Sequence, residues 1–429
     1  MARTPARKAL IKYGFVIPST AGIRDVQVVS GSLPSRGRLN QRFPRPSWRR
    51  SAQRGQVLLG IVIILGIVFG ALFYTFVSPA NSTAERDKIT NAALAQARDA
   101  LIGYAAGQKN GAGNYRPGEL PCPAVDINGD EASSCDNPAS RIGRLPWKKL
   151  GLPDPRDGAG ERLWYAVSGT FKNASQTGIL NSDTTGDFTV TGLTPASNVI
   201  AIVFAPGAAI GTQRRDAANI NNIANYLDEE NANGDTIFTT APTSDTFNDK
   251  LMLITSDNFF PAVTMRVASE ARSFLQAYFT ANGYYPFAND YSDPSFNCTL
   301  LRYSGRIPVG NLSNPPCSLI NWDGAAFPPW FVPNNWHQLV FYAVAPACTA
   351  PSSNCLNMGG FLTVNGTPAP NNDKPAIVIV TGRGLSGQSR PCASVADCVE
   401  DAENTNGNNV FVKPVLSPAN NDRLVIVSP

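Results

Sequence analysis

Apolar residues recur along this chain with two periods. Leu94, Ala97, Leu101 and Tyr104 fall at helical spacing, as do Val267, Ala271, Phe274 and Tyr278. Each set predicts the buried face of an amphipathic helix. Ser82-x-x-Glu85 has the form of a capping box and predicts that the first helix starts there. Short apolar runs bounded by Gly, Pro, Asn and Asp follow each helix and predict strands. They are Leu163–Val167, Val199–Phe204 and Leu251–Thr255 after the first helix, and Leu339–Val344, Ala376–Val380 and Leu424–Val427 after the second. A short helix is expected at Ala217–Leu227. One run follows neither period: Val57 to Val77, 21 residues without a charge. As a helix it would rise roughly 30 Å, the thickness of a bilayer core, and it predicts a transmembrane helix over 56–77. It is too long for a secretory signal, and Phe73-Tyr74-Thr75-Phe76 is a poor cleavage site. Gly60, Gly66, Gly70 and Ala71 would let such helices approach closely, and Pro79 is expected to interrupt the helix beyond the span.

The chain after this run repeats itself. Ala97–Tyr104 matches Ala271–Tyr278 at an offset of 174, and Trp164–Val167 matches Phe341–Val344 at 177. Ile200–Val203 matches Ala376–Ile379 at 176, while Asn231-Ala-Asn-Gly and Asn248-Asp249-Lys250-Leu251 match Asn404-Thr-Asn-Gly and Asn421-Asp422-Arg423-Leu424 at 173. Matches in the same order at nearly one offset indicate two tandem copies, about 84–258 and 259–429. Gly143-Arg144-Leu145-Pro146 matches Gly305-Arg306-Ile307-Pro308 at 162, so the second copy holds extra residues before its Phe341-Tyr342 strand.

Charge changes the picture at the N-terminus. Residues 1–54 carry 12 Lys and Arg against one acid, Asp25, although the whole chain is only +4. The body is therefore mildly acidic and is not expected to bind nucleic acid. Basic residues before the span and Asn81, Ser82 and Glu85 after it place the N-terminus in the cytoplasm by the positive-inside rule, and the rest outside. All eight cysteines lie beyond the span: Cys122, Cys135, Cys298, Cys317, Cys348, Cys355, Cys392 and Cys398. An even number on the exported side implies disulfides. Sequence does not fix the connectivity, but the short intervals favour the pairs 122–135, 298–317, 348–355 and 392–398.

Few residues suggest chemistry. The chain has one histidine, His337, and neither G-x-S-x-G nor H-E-x-x-H. No enzyme is expected; the catalytic alternative is a carboxylate-based glycosidase, since that chemistry needs no histidine. Gly382-Arg383-Gly384-Leu385-Ser386-Gly387 follows a strand, but Gln388–Cys392 after it does not read as the helix a dinucleotide site needs, so a turn is expected. Asp126, Asn128 and Asp130 place oxygen atoms at alternate positions, as in the start of a calcium loop, and calcium is the one cofactor suggested. A plain turn explains them as well. The segment Pro308–Trp336 is rich in aromatics: Trp322, Phe327, Trp330, Phe331 and Trp336 are candidates for a partner-docking or carbohydrate-binding face, or for cover over their own sheet.

Arg54-Gly55-Gln56-Val57-Leu58-Leu59, running into the apolar span, resembles a type IV prepilin leader. Leu152-Pro153-Asp154-Pro155 with Gly160–Ser168 resembles the Asp-Pro-Trp-Gly-Asn-Pro-Tyr segment of major pseudopilins, and Thr381-Gly382-Arg383-Gly384 resembles the glycine-rich turn after a later pseudopilin strand. The resemblance implies cleavage between Gly55 and Gln56 by a membrane prepilin peptidase. Gly60 stands at the fifth mature position, where most pilins have Glu, and this points to a minor, tip-type subunit. Some pseudopilin heads bind calcium, which bears on Asp126–Asp130. The fold expected is α+β: a basic leader (1–55), a transmembrane helix (56–77) and two tandem pilin-like heads (78–258 and 259–429), each a helix on a small antiparallel sheet. The function expected is a structural minor pilin or pseudopilin in the bacterial inner membrane. Its partners would be that membrane, the peptidase and other pilin or pseudopilin subunits met through the N-terminal helix. The alternative is a single-span anchored protein that binds carbohydrate or a protein partner.

Overall fold

The computed structural model describes residues 63–69, 79–107, 116–172, 178–293, 302–309, 327–349, 355, 361–367 and 373–428. The chain divides into two units, Met1–Gly70 and Ala71–Pro429. In the first unit only 63–69 is described; it is helical, with Ile64, Ile67 and Phe69 exposed.

The expected transmembrane helix is corrected here. Among the described residues, no helix is long and apolar enough to cross a membrane. Seven helical residues rise about 10 Å, a third of a bilayer core, and the rest of 56–77 lies outside the described residues. The fold class becomes α+β without a spanning helix, and the single-pass inner-membrane location that rested on the span falls with it.

The second unit contains the duplication. Helix α1 (Pro79–Gly107) is followed by β1 (Ile142–Arg144), β2 (Trp164–Val167), β3 (Phe188–Gly192), β4 (Ala196–Val199), β5 (Ala201–Ala205), β6 (Ile237–Thr240) and β7 (Lys250–Ile254). Helix α2 (Ser256–Asn282) opens the second repeat, with β8 (Ser304–Arg306), β9 (Val340–Val344), β10 (Leu362–Asn365), β11 (Asp373–Lys374), β12 (Ala376–Val380), the short α3 (Ala402–Thr405), β13 (Val410–Val412) and β14 (Arg423–Val427). Each repeat builds an antiparallel four-stranded sheet, β1-β2-β5-β7 and β8-β9-β12-β14, and a three-stranded one, β4-β3-β6 and β11-β10-β13. The strand order is the same in both. Val167 pairs with Ala201 and Val344 with Ala376, so the register aligns Ala201, not Ile200, with Ala376.

The apolar runs are explained by sheets covered on both faces, which need no polar alternation. In the first repeat Tyr165, Val167, Ala201 and Val203 face the main core, while Trp164, Ala166, Ile202 and Phe204 face a second core completed by Phe188, Val190 and Phe238. Helix α1 packs on β5 and β7, α2 packs on β12 and β14, and the two helices touch each other. Leu94, Ala97 and Leu101 are buried as the periodicity predicts, as are Val267, Ala271, Phe274 and Tyr278; Tyr104 is only half-buried. One core therefore runs through both repeats.

Local expectations failed at three points. Helix α1 starts at Pro79, three residues before the expected cap at Ser82, because proline at the first helical position gives up an N–H that has no partner there anyway. A capping box forms at the start of α2, where Thr255 and Asn258 bond reciprocally, and Gly283 closes that helix at φ 77°. The helix expected at Ala217–Leu227 shrinks to a 3-10 turn at Ile223–Asn225. Asp216 Oδ1 takes the N–H groups of Ala218 and Asn219 for itself, and side-chain bonds of this kind compete with a helix.

Candidate functional site

Buried hydrogen bonds cross the joint between the repeats, and Asn334 is their centre. Its Oδ1 accepts from Arg116 Nη1 at 2.8 Å and from the Leu180 amide at 2.9 Å. Its carbonyl accepts from Asn181 Nδ2 at 2.9 Å, and its Nδ2 donates to the Trp330 carbonyl at 2.8 Å. The residue is 4% exposed, so these bonds form away from water. Arg116 is held in turn by Glu119 at 3.0 Å, and burial lifts the Glu119 carboxyl above its usual range although the arginine opposes it. Nearby, Ser182 Oγ donates to the Thr381 carbonyl at 2.9 Å, and Asp183 accepts from the Gly384 amide at 3.1 Å. The glycine-rich turn at Gly382–Gly387 is therefore part of the joint.

Three rings of the aromatic segment lie inside the protein. Trp330, Phe331 and Trp336 are at most 5% exposed, and Phe327 stacks on Phe331 with centroids 5.5 Å apart. Phe327 and Phe331 sit on Phe274 of α2 at 4.6 and 5.4 Å. Burying such rings removes large apolar areas from water, while Phe327 stays half-buried. Trp322 lies outside the described residues.

Each repeat also contains a buried polar cluster with the same wiring. In the first, the Asp228 amide and Asn231 Nδ2 donate to Asp249 Oδ2 at 2.8 and 3.0 Å, and the Asn248 amide donates to Asp228 Oδ2 at 2.7 Å. Gln213 Nε2 reaches Asp228 Oδ1 at 2.8 Å, and Arg215 Nη1 reaches the Gly207 carbonyl at 2.6 Å. In the second, the Glu400 amide donates to Asp422 Oδ2 at 3.1 Å and the Asn421 amide to Glu400 Oε2 at 3.2 Å. Gln388 Nε2 reaches Glu400 Oε1 at 3.3 Å, and Arg390 Nη2 reaches the Gly382 carbonyl at 3.3 Å. Burial, reinforced by the neighbouring carboxyls of Asp228 and Glu400, pushes Asp249 and Asp422 well above the carboxylate range. The Oδ1 atoms of both are buried without an acceptor or donor partner. A proton on each makes a neutral acid, the form that a dry site favours.

The remaining predicted residues fall as follows. Cys122–Cys135, Cys348–Cys355 and Cys392–Cys398 are disulfide-bonded; Cys298 and Cys317 lie outside the described residues, as do Gly55 and Gln56. Asp126 accepts from the Asn128 amide at 2.9 Å and from Asn128 Nδ2 at 2.8 Å, while Asp130 pairs with Lys148 at 3.0 Å. Among the described residues, no group of three or more His, Cys, Asp or Glu side chains is placed to hold a metal ion. His337 is buried, and burial with the nearby Arg306 charge lowers its pKa to about 4.

Comparison with known proteins found no family model, no curated protein and no solved structure that matches this chain. Sequence reasoning missed Asn334 and both carboxyl pairs. The pairs had left a signal: Asn248-Asp249 and Asn421-Asp422 repeat between copies that otherwise share mainly apolar residues. Asn334 left none, since its partners lie about 150 to 220 residues away in the chain.

Proposed function

We propose that this chain is a non-catalytic structural subunit of the minor pilin or pseudopilin type, with two heads locked together, which acts by docking to other pilin or pseudopilin subunits. The observation that supports this reading is the repeated head itself. One helix lies on a four-stranded antiparallel sheet, twice, with the same strand order. The buried polar side chains fit a scaffold role: Asn334, Arg116 and Ser182 fasten one head to the other, and the carboxyl pairs fasten loops inside each head. Burial of Trp330, Phe331 and Trp336 takes those three rings out of the surface that the carbohydrate-binding alternative needs.

The test is the N-terminus of the mature protein, read by mass spectrometry from hosts with and without the prepilin peptidase. A chain that starts at Gln56 only when the peptidase is present supports the subunit reading. An intact N-terminus in both hosts overturns it.

A further inference from the structure

The first head has a cleft of about 400 Å³ beside β1, β2 and the turn at 232–234. Arg144 and Trp164 line it and are 4% and 2% exposed. The Arg144 guanidinium lies 5.0 Å from the centroid of the Trp164 ring and 4.6 Å from that of Tyr226, and its Nη2 donates to the Ile220 carbonyl. The Nε–H of Arg144 and the indole Nε1–H of Trp164 have no acceptor. Among the described residues, no carboxylate forms an ion pair with Arg144; Glu161, the acid that acts on it from a distance, is bonded to Arg215 at 3.3 Å. The walls are mixed, with Pro123, Val125, Ile142 and Ile223 beside the polar Ser134, Ser140, Asn221 and Asn233.

The second head supplies an internal comparison. Arg306 pairs with Phe341 across the sheet as Arg144 pairs with Trp164. Its guanidinium is taken by the Tyr291 carbonyl and lies 4.9 Å from that ring, and Asp290 and Asp293 are near enough to favour its charge. Phe341 replaces the indole donor, and Ser304 replaces Ile142. A nearby acid is thus common to both heads, Glu161 for Arg144 and Asp290 and Asp293 for Arg306, and what the first head adds is the indole donor and the cleft. A buried cation without a counter-ion is costly, and a carboxylate offsets that cost through charge-assisted hydrogen bonds. The volume is that of a small-molecule site.

We propose that the cleft of the first head binds a small organic carboxylate, with its acid group held by Arg144 and Trp164 and its apolar body against Val125, Ile142 and Ile223. The probe is 4-phenylbutyrate, with its uncharged amide as control, titrated into the purified full chain by calorimetry. The expected result is saturable binding of the acid at least ~10-fold tighter than the amide, with a shift of the Trp164 indole N–H resonance. Arg144→Met is expected to abolish the preference for the acid. Ala139→Trp, at the exposed edge of the cleft, is expected to weaken the acid at least ~10-fold by filling the space without touching Arg144, and it decides the matter if Arg144→Met does not fold. No saturable binding of the acid, equal binding of acid and amide, or full binding by Ala139→Trp overturns the proposal.

Discussion

Tyr165 and Tyr342 make the same hydrogen bond in the two repeats. Each donates its hydroxyl from the second strand of a four-stranded sheet to a proline carbonyl in the loop after the helix, Pro121 at 3.2 Å and Pro286 at 3.0 Å. Burial pushes both phenols well above their usual range, so both remain donors at any ordinary pH. The backbone around them repeats as well: Ala124 exchanges amide bonds with Arg144, and Asn289 does so with Arg306. The duplication therefore reaches into loops whose sequences no longer match.

Asn334 joins the heads, so its removal should separate them. Asn334→Ala leaves the Leu180 amide without its acceptor in a dry site and takes one of two acceptors from Arg116 Nη1, while Asn181 Nδ2 keeps the backbone carbonyl. The expected loss is about 2–4 kcal/mol of unfolding free energy. Urea titration followed by circular dichroism should show one transition in the parent protein and an earlier, broadened or split one in the variant. An unchanged midpoint would show that the apolar contacts alone fix the joint.

The carboxyl pairs make stability depend on pH. Asp249 and Asp422 have folded pKa values raised well above the unfolded value of 3.8, by burial first and by Asp228 or Glu400 second. Their contribution is fully present below the unfolded pKa and is lost as pH rises through the folded one. From these groups alone, the protein should be more stable at pH 5 than at pH 8. The double variant Asp249→Asn with Asp422→Asn keeps an acceptor and cannot ionise, so its melting temperature should fall less over that interval. Parallel falls in the two proteins would dismiss the carboxyl pairs as the cause.

Reduction should act unequally on the disulfides. The loop closed by Cys122–Cys135 spans 13 residues and that closed by Cys392–Cys398 spans 6. Chain entropy assigns these about 3 and about 2 kcal/mol. Cys122→Ser with Cys135→Ser should therefore destabilise the chain more than Cys392→Ser with Cys398→Ser. Equilibrium denaturation of the two double variants tests the order.

The buried aromatic segment yields a stability prediction in place of a binding one. Trp336 is wholly buried, and Trp336→Ala should cost about 3–5 kcal/mol. Thermal unfolding of the variant checks this. A variant as stable as the parent would mean that the ring lies at the surface after all.

The sequence by itself indicated the two long helices, six of the strands, the building of the second unit twice and three of the cysteine pairs. Those properties depend on short-range pattern: the face from Val267 to Tyr278, the run Ala376–Val380, the repeated Asn-Asp before β7 and β14. Tertiary structure decided the rest. The aromatic residues from Phe327 to Trp336 have the same composition whether they cover a core or meet a partner, and only the position of α2 beneath them settles it. Arg144 and Arg306 occupy matching strands, yet Arg306 meets Tyr291 while Arg144 lines a cleft beside Trp164. A residue's partner is set by which distant segments the packing brings beside it, and that information lies in the whole chain rather than in the pattern around the residue.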